Sequence, residues 1–375
     1  MNLNTIKAAA ITGLAKVAVQ CSAASFITVK TLIIISLTTL ISPCNGQENR
    51  NDTRNTKLQG QTLTQNSTIE NNYLNEQISQ VVRTVFQDSR GNIWFGTQNG
   101  AFRLTDKSLS HIDGIKSESG KGVTIKDITE DKDGTIWFGH SDGISSVKGE
   151  TVINYYESDG LISNDVWCIA ADTIGRIWIG TIVGACVFNG QEFIKFELPE
   201  GKIDSTVGVS STKMIHNILK DSKGKLWFSS NAGLFSYSNN KLVDVSGTVG
   251  IQTNFVNILF EDKSGGLWIS TKVGLYNLKE NIANNITDGK IEIGKGIGSI
   301  AEDKDGKIWF VSNQHHLYTF DGKDLKEFQK SEDNKGPVVF QIFKDQDDRL
   351  WFVGYGGAYR LENSSFLNIT KNGPW

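Results

Sequence analysis

One tryptophan recurs seven times along this 375-residue chain in the same local setting. An apolar strand-like segment, a turn that begins with Asp, and one apolar residue precede each of Trp94, Trp137, Trp178, Trp227, Trp268, Trp309 and Trp351. Successive spacings are 43, 41, 49, 41, 41 and 42 residues. A period of about 40 to 50 residues with short alternating strands is typical of propeller blades. The sequence therefore predicts an all-β, seven-bladed propeller with four antiparallel strands in each blade.

The second repeat shows the pattern of one blade. Ile125 to Thr129 alternates apolar and polar residues, as a half-buried strand does, and is strand A. Asp131 to Gly134 has the residues of a hairpin turn. Strand B follows at Thr135 to Gly139, strand C at Ile144 to Val147, and strand D at Thr151 to Tyr156.

The repeated tryptophans and aspartates have structural roles in this reading. A large side chain at the same place of every strand B fills the wedge between neighbouring sheets, so we expect these tryptophans in the core. The turns at 131–134 and 303–306 lack the spacing and terminal Glu of an EF-hand, which favours turn formation over calcium binding. The last turn, Asp345 to Arg349, lacks glycine and is predicted to place an Asp in the left-handed region.

The first residues of the chain do not fit the repeat. A twelve-residue apolar run, Thr31 to Ser42, is too short for a membrane span and resembles a bacterial lipoprotein signal ending at Cys44. We expect residues 1–43 to be a leader, with translation starting near Val29, and Cys44 to be lipidated. Residues 44–76, rich in Asn, Gln, Thr and Ser, are predicted to be a flexible tether, and residues 77–375 the propeller. This predicts an extracytoplasmic protein held at the envelope by lipid, in the periplasm or at the outer membrane, or a secreted protein if Cys44 is unmodified.

Charge and cysteine content limit the possible partners and crosslinks. The net charge is −3 and basic residues are scattered among acidic ones, which argues against nucleic acid as a partner. Cys168 and Cys186 fall on strands A and C of one blade, about 9.6 Å apart across strand B. That separation is too long for a disulfide, so we expect two small core residues.

Blade connectivity places one set of loops around the central channel. The turns between strands B and C and the loops leading into strand A share one face, which includes the longest insertion, Glu197 to Met214. The residues predicted to bind ligand there are His140, Asp142, Asn164, Trp167, Lys272, His316 and Tyr355. This mixture suits a polar ligand or a protein loop. Structural roles stay open for three of them: Trp167 as packing under a loop, Asn164 as a turn cap, and His316 as ordinary surface.

The repeat also resembles a known family. Val256 to Leu275, Ile93 to Thr97 (Ile-Trp-Phe-Gly-Thr) and Gly160 to Val166 resemble the two-component regulator propeller repeat, and the likeness covers about residues 80 to 375. In that family the repeats form the extracytoplasmic sensor of hybrid histidine kinases, often in bacteria that sense and degrade polysaccharides. The resemblance implies a sensor propeller. The chain ends after the last blade, which predicts a free-standing, lipid-tethered one.

Three functions are compatible with the sequence. The favoured one is a non-catalytic module that binds a small molecule, an oligosaccharide among them, or an envelope protein. The second is a metal-dependent enzyme of the streptogramin lyase type, and the third is an interaction scaffold. No nucleophile elbow, phosphate loop or His-Glu-x-x-His helix occurs, and the five histidines are dispersed. We therefore expect no catalytic residues, no metal and no cofactor, and contact with a membrane only through the lipid; the sequence leaves ligand and oligomeric state open.

Overall fold

The computed structural model describes residues 76–106, 108–292, 296–330 and 337–375. Seven four-stranded antiparallel sheets follow one another, and each sheet is formed by four strands consecutive in the chain. The predicted seven-bladed all-β propeller is confirmed. The predicted leader, the tether up to residue 75 and Cys44 lie outside the described residues. Within the described ranges, no helix is long and apolar enough to cross a membrane.

Strands A and B form the inner half of each blade. The A strands are β1 (Val82–Gln87), β5 (Ile125–Glu130), β9 (Val166–Ala171), β13 (Ile215–Lys220), β17 (Val256–Glu261), β21 (Ile297–Glu302) and β25 (Val338–Lys344). The B strands are β2 (Ile93–Thr97), β6 (Ile136–His140), β10 (Ile177–Thr181), β14 (Leu226–Ser230), β18 (Leu267–Thr271), β22 (Ile308–Ser312) and β26 (Leu350–Tyr355).

Strands C and D form the outer half. The C strands are β3 (Gly100–Leu104), β7 (Gly143–Lys148), β11 (Gly184–Phe188), β15 (Gly233–Ser238), β19 (Gly274–Lys279), β23 (His316–Phe320) and β27 (Gly357–Glu362). The D strands are β4 (Leu109–His111), β8 (Thr151–Tyr155), β12 (Phe193–Phe196), β16 (Lys241–Asp244), β20 (Ile282–Asn285), β24 (Leu325–Phe328) and β28 (Ser365–Ile369). Single helical turns span Glu157–Asp159, Ser205–Val207 and Ser246–Val249.

The turn between strands A and B is built in the same way in all seven blades. In blade 3, Asp172 Oδ1 accepts hydrogen bonds from the backbone N–H groups of Ile174 and Arg176, and its Oδ2 accepts one from the Trp178 indole at 3.0 Å. The indole-to-carboxylate distance is 2.8 to 3.0 Å in every blade. One carboxylate thus organises the turn and anchors the core tryptophan six residues later.

The core lies between adjacent sheets, where the repeated tryptophans are 1 to 9% exposed. Trp178 of blade 3 meets Phe228 of blade 4 edge-to-face at 5.6 Å between ring centroids. Such contacts between successive blades confirm the predicted wedge-filling role of the tryptophans. Cys168 and Cys186 are buried and not joined by a disulfide, as predicted.

The last blade confirms the expected irregular turn and closes the ring. Asp348 takes the left-handed conformation, with φ of 61°, where other blades have glycine. Closure needs no exchanged strand, because residues before β1 pair with blade 7: the Gly356 N–H donates to the Gln80 carbonyl at 2.9 Å. The Val85 N–H donates to Gln341 Oε1 at 2.6 Å across the same junction.

Candidate functional site at the channel mouth

Every strand A carries a β-bulge near its beginning. In β9, Val166 pairs with Thr181 and Cys168 with Gly180, which leaves Trp167 between them without a cross-strand partner. The corresponding register shift occurs in all seven blades. Bulges re-aim a side chain relative to the pleat of the strand. We call the residues at this position the bulge ring: Arg83, Lys126, Trp167, His216, Asn257, Gly298 and Phe340.

The bulge ring surrounds one end of the central channel. A cavity of about 510 Å³ is lined by strand A residues of all seven blades, including six of the seven bulge-ring residues. The turns between strands B and C lie beside this end, because the start of each strand A pairs with the end of its strand B. The predicted convergence of these turns and the loops leading into strand A is therefore observed. We call this end the channel mouth.

Blades 7 and 1 contribute two aromatic rings and a cation to the mouth. Tyr355 is 52% exposed and packs edge-to-face on Phe340, with ring centroids 4.9 Å apart. The Arg83 guanidinium lies over the Phe340 ring, 5.5 Å from its centroid. Arg83 is exposed, and its guanidinium forms no hydrogen bond or ion pair with any residue that the structure describes.

Blades 2 and 3 contribute a second cation and a third ring. The Lys126 ammonium lies 4.1 Å from the centroid of the Trp167 ring and forms an ion pair with Asp165. Burial lowers the pKa of Lys126, and the positive charge of Arg83 adds to that effect, although Asp165 opposes both. Trp167 stays 38% exposed, so its ring is accessible from the mouth.

His216 of blade 4 is a further polar residue that lines the cavity. Its ring packs on Phe255 at 5.0 Å between centroids, and its Nε2 is buried with no hydrogen-bond partner in the described part of the chain. Burial lowers the pKa of His216 to about 4, so the ring is neutral at pH 7. A neutral imidazole has one donor and one acceptor nitrogen for a polar ligand.

In four of the seven blades, the residue after the bulge accepts a backbone hydrogen bond from the neighbouring blade. Asp127 Oδ2 accepts from the Ile169 N–H of blade 3 at 2.9 Å, and Ser299 Oγ accepts from the Ile342 N–H of blade 7 at 2.9 Å. Burial raises the pKa of Asp127 to about 7, against the effect of its two backbone hydrogen bonds. These side chains thus join neighbouring blades by hydrogen bonds. With a pKa of about 7, Asp127 is only half ionised near neutral pH.

The acidic residues at the far end of the channel are engaged in contacts between blades. Glu261 accepts hydrogen bonds from the backbone N–H and the hydroxyl of Ser222 at 2.6 and 2.7 Å. Glu302 accepts one from the Lys263 N–H at 2.7 Å. The carboxylates at the far end therefore stabilise contacts between blades on the aspartate-turn face. The mouth, in contrast, carries the cations Arg83 and Lys126.

The prediction that His140 is displayed on the channel face is wrong. Its side chain is 0% exposed, because it ends strand β6 pointing inward, and its Nε2 lies 2.8 Å from Ser145 Oγ. The Asp142 N–H lies 3.3 Å from His140 Nδ1, which makes Nε2 the protonated nitrogen. Burial lowers the pKa of His140 to about 3, with a further contribution from the charge of Lys126.

Two other predicted residues lie away from the bulge ring and have protein partners. Asn164 Oδ1 accepts from the Glu157 N–H, and the Asn164 N–H donates to Glu157 Oε1, both at 2.8 Å, so this residue shapes its own loop. His316 begins the outer strand β23 and pairs with Glu327 at 2.8 Å.

Lys272 lies beside a second cavity on the same face. It forms an ion pair with Asp204 of the long insertion at 3.0 Å, and both line a cavity of about 620 Å³ between blades 4 and 5. Of the seven predicted residues, Trp167 belongs to the bulge ring and Tyr355 contacts it, and the others lie around its periphery or inside a blade. Ligand binding by any of them stays a prediction.

Four segments of the chain, residues 76–99, 119–142, 160–182 and 250–272, match the sequence family described as Two component regulator propeller. Each segment covers a loop leading into strand A, the bulged strand A, the aspartate turn and strand B. The chain therefore contains repeats of the two-component regulator propeller type. The regulator repeat thus carries both the turn that anchors the tryptophan and the bulge that lines the mouth.

The fold is similar to that of extracellular domains of putative hybrid two component systems from B. thetaiotaomicron. One such domain has a TM-score of 0.59 at 19% identity, covering 76% of this chain and 38% of that chain. Another has a TM-score of 0.59 at 19% identity, covering 78% of this chain and 40% of that one. This chain spans about two fifths of the length of these structures.

The fold is also similar to that of a lyase. Virginiamycin B lyase from Staphylococcus aureus has a TM-score of 0.58 at 13% identity, covering 74% of this chain and 93% of that chain. No curated protein sequence matches this chain significantly. Among the described residues, no three or more His, Cys, Asp or Glu side chains are grouped so as to hold a metal ion.

Sequence reasoning missed four residues of the bulge ring that face the cavity, Arg83, Lys126, His216 and Phe340. A signal was present: the residue eleven positions before each repeated tryptophan differs in every repeat, while the residue preceding it is always Val or Ile. An alignment of the seven repeats on their tryptophans exposes this column. The bulge itself gives no such signal, because an inserted residue interrupts the alternation that identifies a strand.

Proposed function

We propose that this propeller is a non-catalytic binding module of the sensor type, which captures its ligand at the channel mouth. The observation that carries the proposal is the bulge ring: seven equivalent positions hold seven different residues, and six of these residues line one cavity. A repeat protein has no structural need for such variety at equivalent positions. Concave cavities with aromatic walls and a few directed polar groups are typical of ligand sites.

The proposed ligand is a small polar molecule, an oligosaccharide among them, or a loop of an envelope protein. Trp167 and Tyr355 offer exposed rings that can stack on a sugar ring or anchor a partner, and Trp and Tyr are frequent anchors of binding surfaces. The likeness to extracellular domains of two component systems supports a location outside the cytoplasm. Lipid attachment at Cys44 and the tether before the propeller belong to the same proposal.

Two other functions remain distinguishable by experiment. The likeness to virginiamycin B lyase motivates a search for turnover, although the buried His140 is poorly placed for catalysis. A pure interaction scaffold would show partner binding with no small ligand. Stabilisation by a ligand without turnover supports the binding module.

The test is a thermal unfolding screen of the protein against neutral and acidic oligosaccharides. A ligand present at 100 times its Kd stabilises the native state by about 2.7 kcal/mol. The double variant Trp167→Ala, Tyr355→Ala is expected to unfold at nearly the same temperature as the parent without ligand, because both side chains are exposed. Its ligand-induced shift should be lost.

Trp375→Ala is the matched control, because Trp375 is also exposed, at 39%, but lies at the edge of blade 7 beside Thr370. This variant should keep the full ligand-induced shift. Undiminished stabilisation of the double variant would contradict the proposed site.

A further inference from the structure

The charged groups of the channel mouth do not balance. Two cations, Arg83 and Lys126, occupy neighbouring positions of the bulge ring, and one carboxylate, Asp165, is paired with Lys126. Burial lowers the pKa of Lys126, and electrostatic repulsion by the Arg83 charge lowers it further. The guanidinium of Arg83 has five donors and, among the described residues, no carboxylate partner. One positive charge is therefore in excess among the bulge-ring side chains and the carboxylate paired with them.

The nearby acids do not supply the missing charge. Asp127 faces the same cavity one residue deeper, but burial raises its pKa to about 7 and its carboxylate already accepts two backbone hydrogen bonds. Glu261 and Glu302 are held by backbone groups at the other end. A channel with walls of low dielectric constant concentrates the field of an unbalanced charge.

Apolar ring faces flank the two cations. Phe340 lies under the Arg83 guanidinium, and Trp167 lies under the Lys126 ammonium. Arginine beside an aromatic face is suited to a planar oxyanion, since its fork donates two parallel hydrogen bonds.

We infer that the channel mouth takes an anionic ligand, whose oxyanion group is held by Arg83 and Lys126 and whose ring or other apolar face lies against Trp167 or Phe340. This inference rests on the proposed function and narrows its ligand class. A carboxylate, a phosphate and a sulfate share the chemistry that the two cations recognise. His216, neutral at pH 7, is left to hydrogen-bond an uncharged part of the same ligand.

The test uses three probes that share one ring. Benzoate and phenyl phosphate carry an oxyanion, and benzamide has nearly the shape of benzoate without its charge. Binding is followed by protein NMR shifts and by the change in tryptophan fluorescence that Trp167→Phe removes, both in a Trp375→Phe background and at constant ionic strength because salt screens exposed charges. Both anions are expected to bind about tenfold more tightly than benzamide, since a charge-assisted hydrogen bond is stronger than a neutral one. The relative affinities of benzoate and phenyl phosphate indicate which oxyanion the mouth prefers.

Two variants separate the charge from the ring. Arg83→Gln should reduce the affinity for both anions most of the way to that for benzamide, because the remaining cation, Lys126, is already paired with Asp165, and should leave benzamide unchanged. Trp167→Ala should weaken all three probes alike, with binding then followed by NMR. Arg90→Gln makes the same charge change at an exposed arginine of the aspartate-turn face and should have no effect.

Equal affinity for benzoate and benzamide would overturn the inference, as would an anion preference that is undiminished in Arg83→Gln or a failure of benzoate to bind below about 50 mM. If both probes bound equally and both were lost in Trp167→Ala, the proposed binding site would stand and only its charge preference would fall. If binding were indifferent to Arg83 and Trp167, the proposed site would fall as well.

Discussion

The two ends of the channel are built by opposite rules. At the aspartate-turn end, every blade repeats one arrangement, in which a carboxylate accepts two backbone hydrogen bonds and one from the tryptophan indole. At the mouth, the bulge ring occupies an equally regular backbone position and carries a different side chain in each blade. One end is constant because it holds the fold.

The other end can vary because it holds little of the fold. The bulge leaves its residue without a cross-strand partner, and in four blades the next residue, such as Asp127 or Ser299, accepts a hydrogen bond from the neighbouring blade. In blade 5 the bulge residue itself takes part, because Asn257 Nδ2 donates to the Ile297 carbonyl of blade 6 at 3.3 Å. A side chain at the bulge can therefore change without disturbing the sheet. We therefore expect stability and ligand binding to depend on different residues of the same strand, and the following predictions test that separation.

Two tryptophans of blade 3 give the largest expected contrast. Trp178→Ala removes a side chain that is 1% exposed and should lower the free energy of unfolding by about 3 to 5 kcal/mol. Trp167→Ala removes one that is 38% exposed and should cost less than about 1 kcal/mol. Denaturant unfolding of the two variants measures both values, and similar losses would contradict the separation.

The aspartate turn predicts the next largest effect. Asp172→Ala removes the acceptor of three hydrogen bonds and the ion pair with Arg176, so the free energy of unfolding should fall by about 2 to 4 kcal/mol. Asp142→Ala, at a turn of the opposite end, provides the control and should cost less than about 0.5 kcal/mol, as surface substitutions do. A cost at Asp142 as large as that at Asp172 would argue against the assigned roles.

The same residue links stability to acid. Burial alone would raise the pKa of Asp172, but hydrogen bonds from Trp178 and Arg176 outweigh burial and lower it. An acid whose folded pKa lies below its unfolded value stabilises the protein above the unfolded pKa, and this contribution is lost as the pH falls through the folded pKa. Between pH 5 and pH 2, the parent should therefore lose the part of its stability advantage over Asp172→Ala that depends on the ionised carboxylate.

Asp127 predicts a smaller effect of opposite sign. Its folded pKa of about 7 lies above the unfolded value, so its contribution to stability is complete below about pH 4 and is lost as the pH rises through 7. Asp127→Asn should be more stable relative to the parent at pH 8 than at pH 5, by about 1 to 3 kcal/mol. In blade 4, Asn217 already accepts the equivalent hydrogen bond from the neighbouring blade, so an Asn fits this site. Denaturant unfolding at the two pH values gives the difference, and equal differences would refute the account of Asp127.

The sequence predicted the constant end better than the variable one. The period of the tryptophans and their turns was sufficient for seven blades, and the missing glycine before Arg349 predicted the left-handed Asp348. Pattern alone did not show that the carboxylate also binds the indole, because that contact depends on the folded turn. His140 was misplaced because its direction depends on the pleat at the end of strand B. Arg83 and Lys126 look like ordinary solvent-facing residues of an alternating strand until the bulge directs them into the channel.

We infer that the residues departing from the repeat form an accessible, positively charged surface at the mouth. Quenching of tryptophan fluorescence by iodide and by caesium in a Trp375→Phe background tests it directly, because the seven repeated tryptophans are buried and Trp167 is exposed. With each ion's quenching constant divided by its value for free N-acetyltryptophanamide, iodide should quench Trp167 more efficiently than caesium. Arg83→Gln should reduce that difference, and Trp167→Phe should abolish the quenching. Equal normalised quenching by the two ions, or quenching that persists without Trp167, would contradict the account.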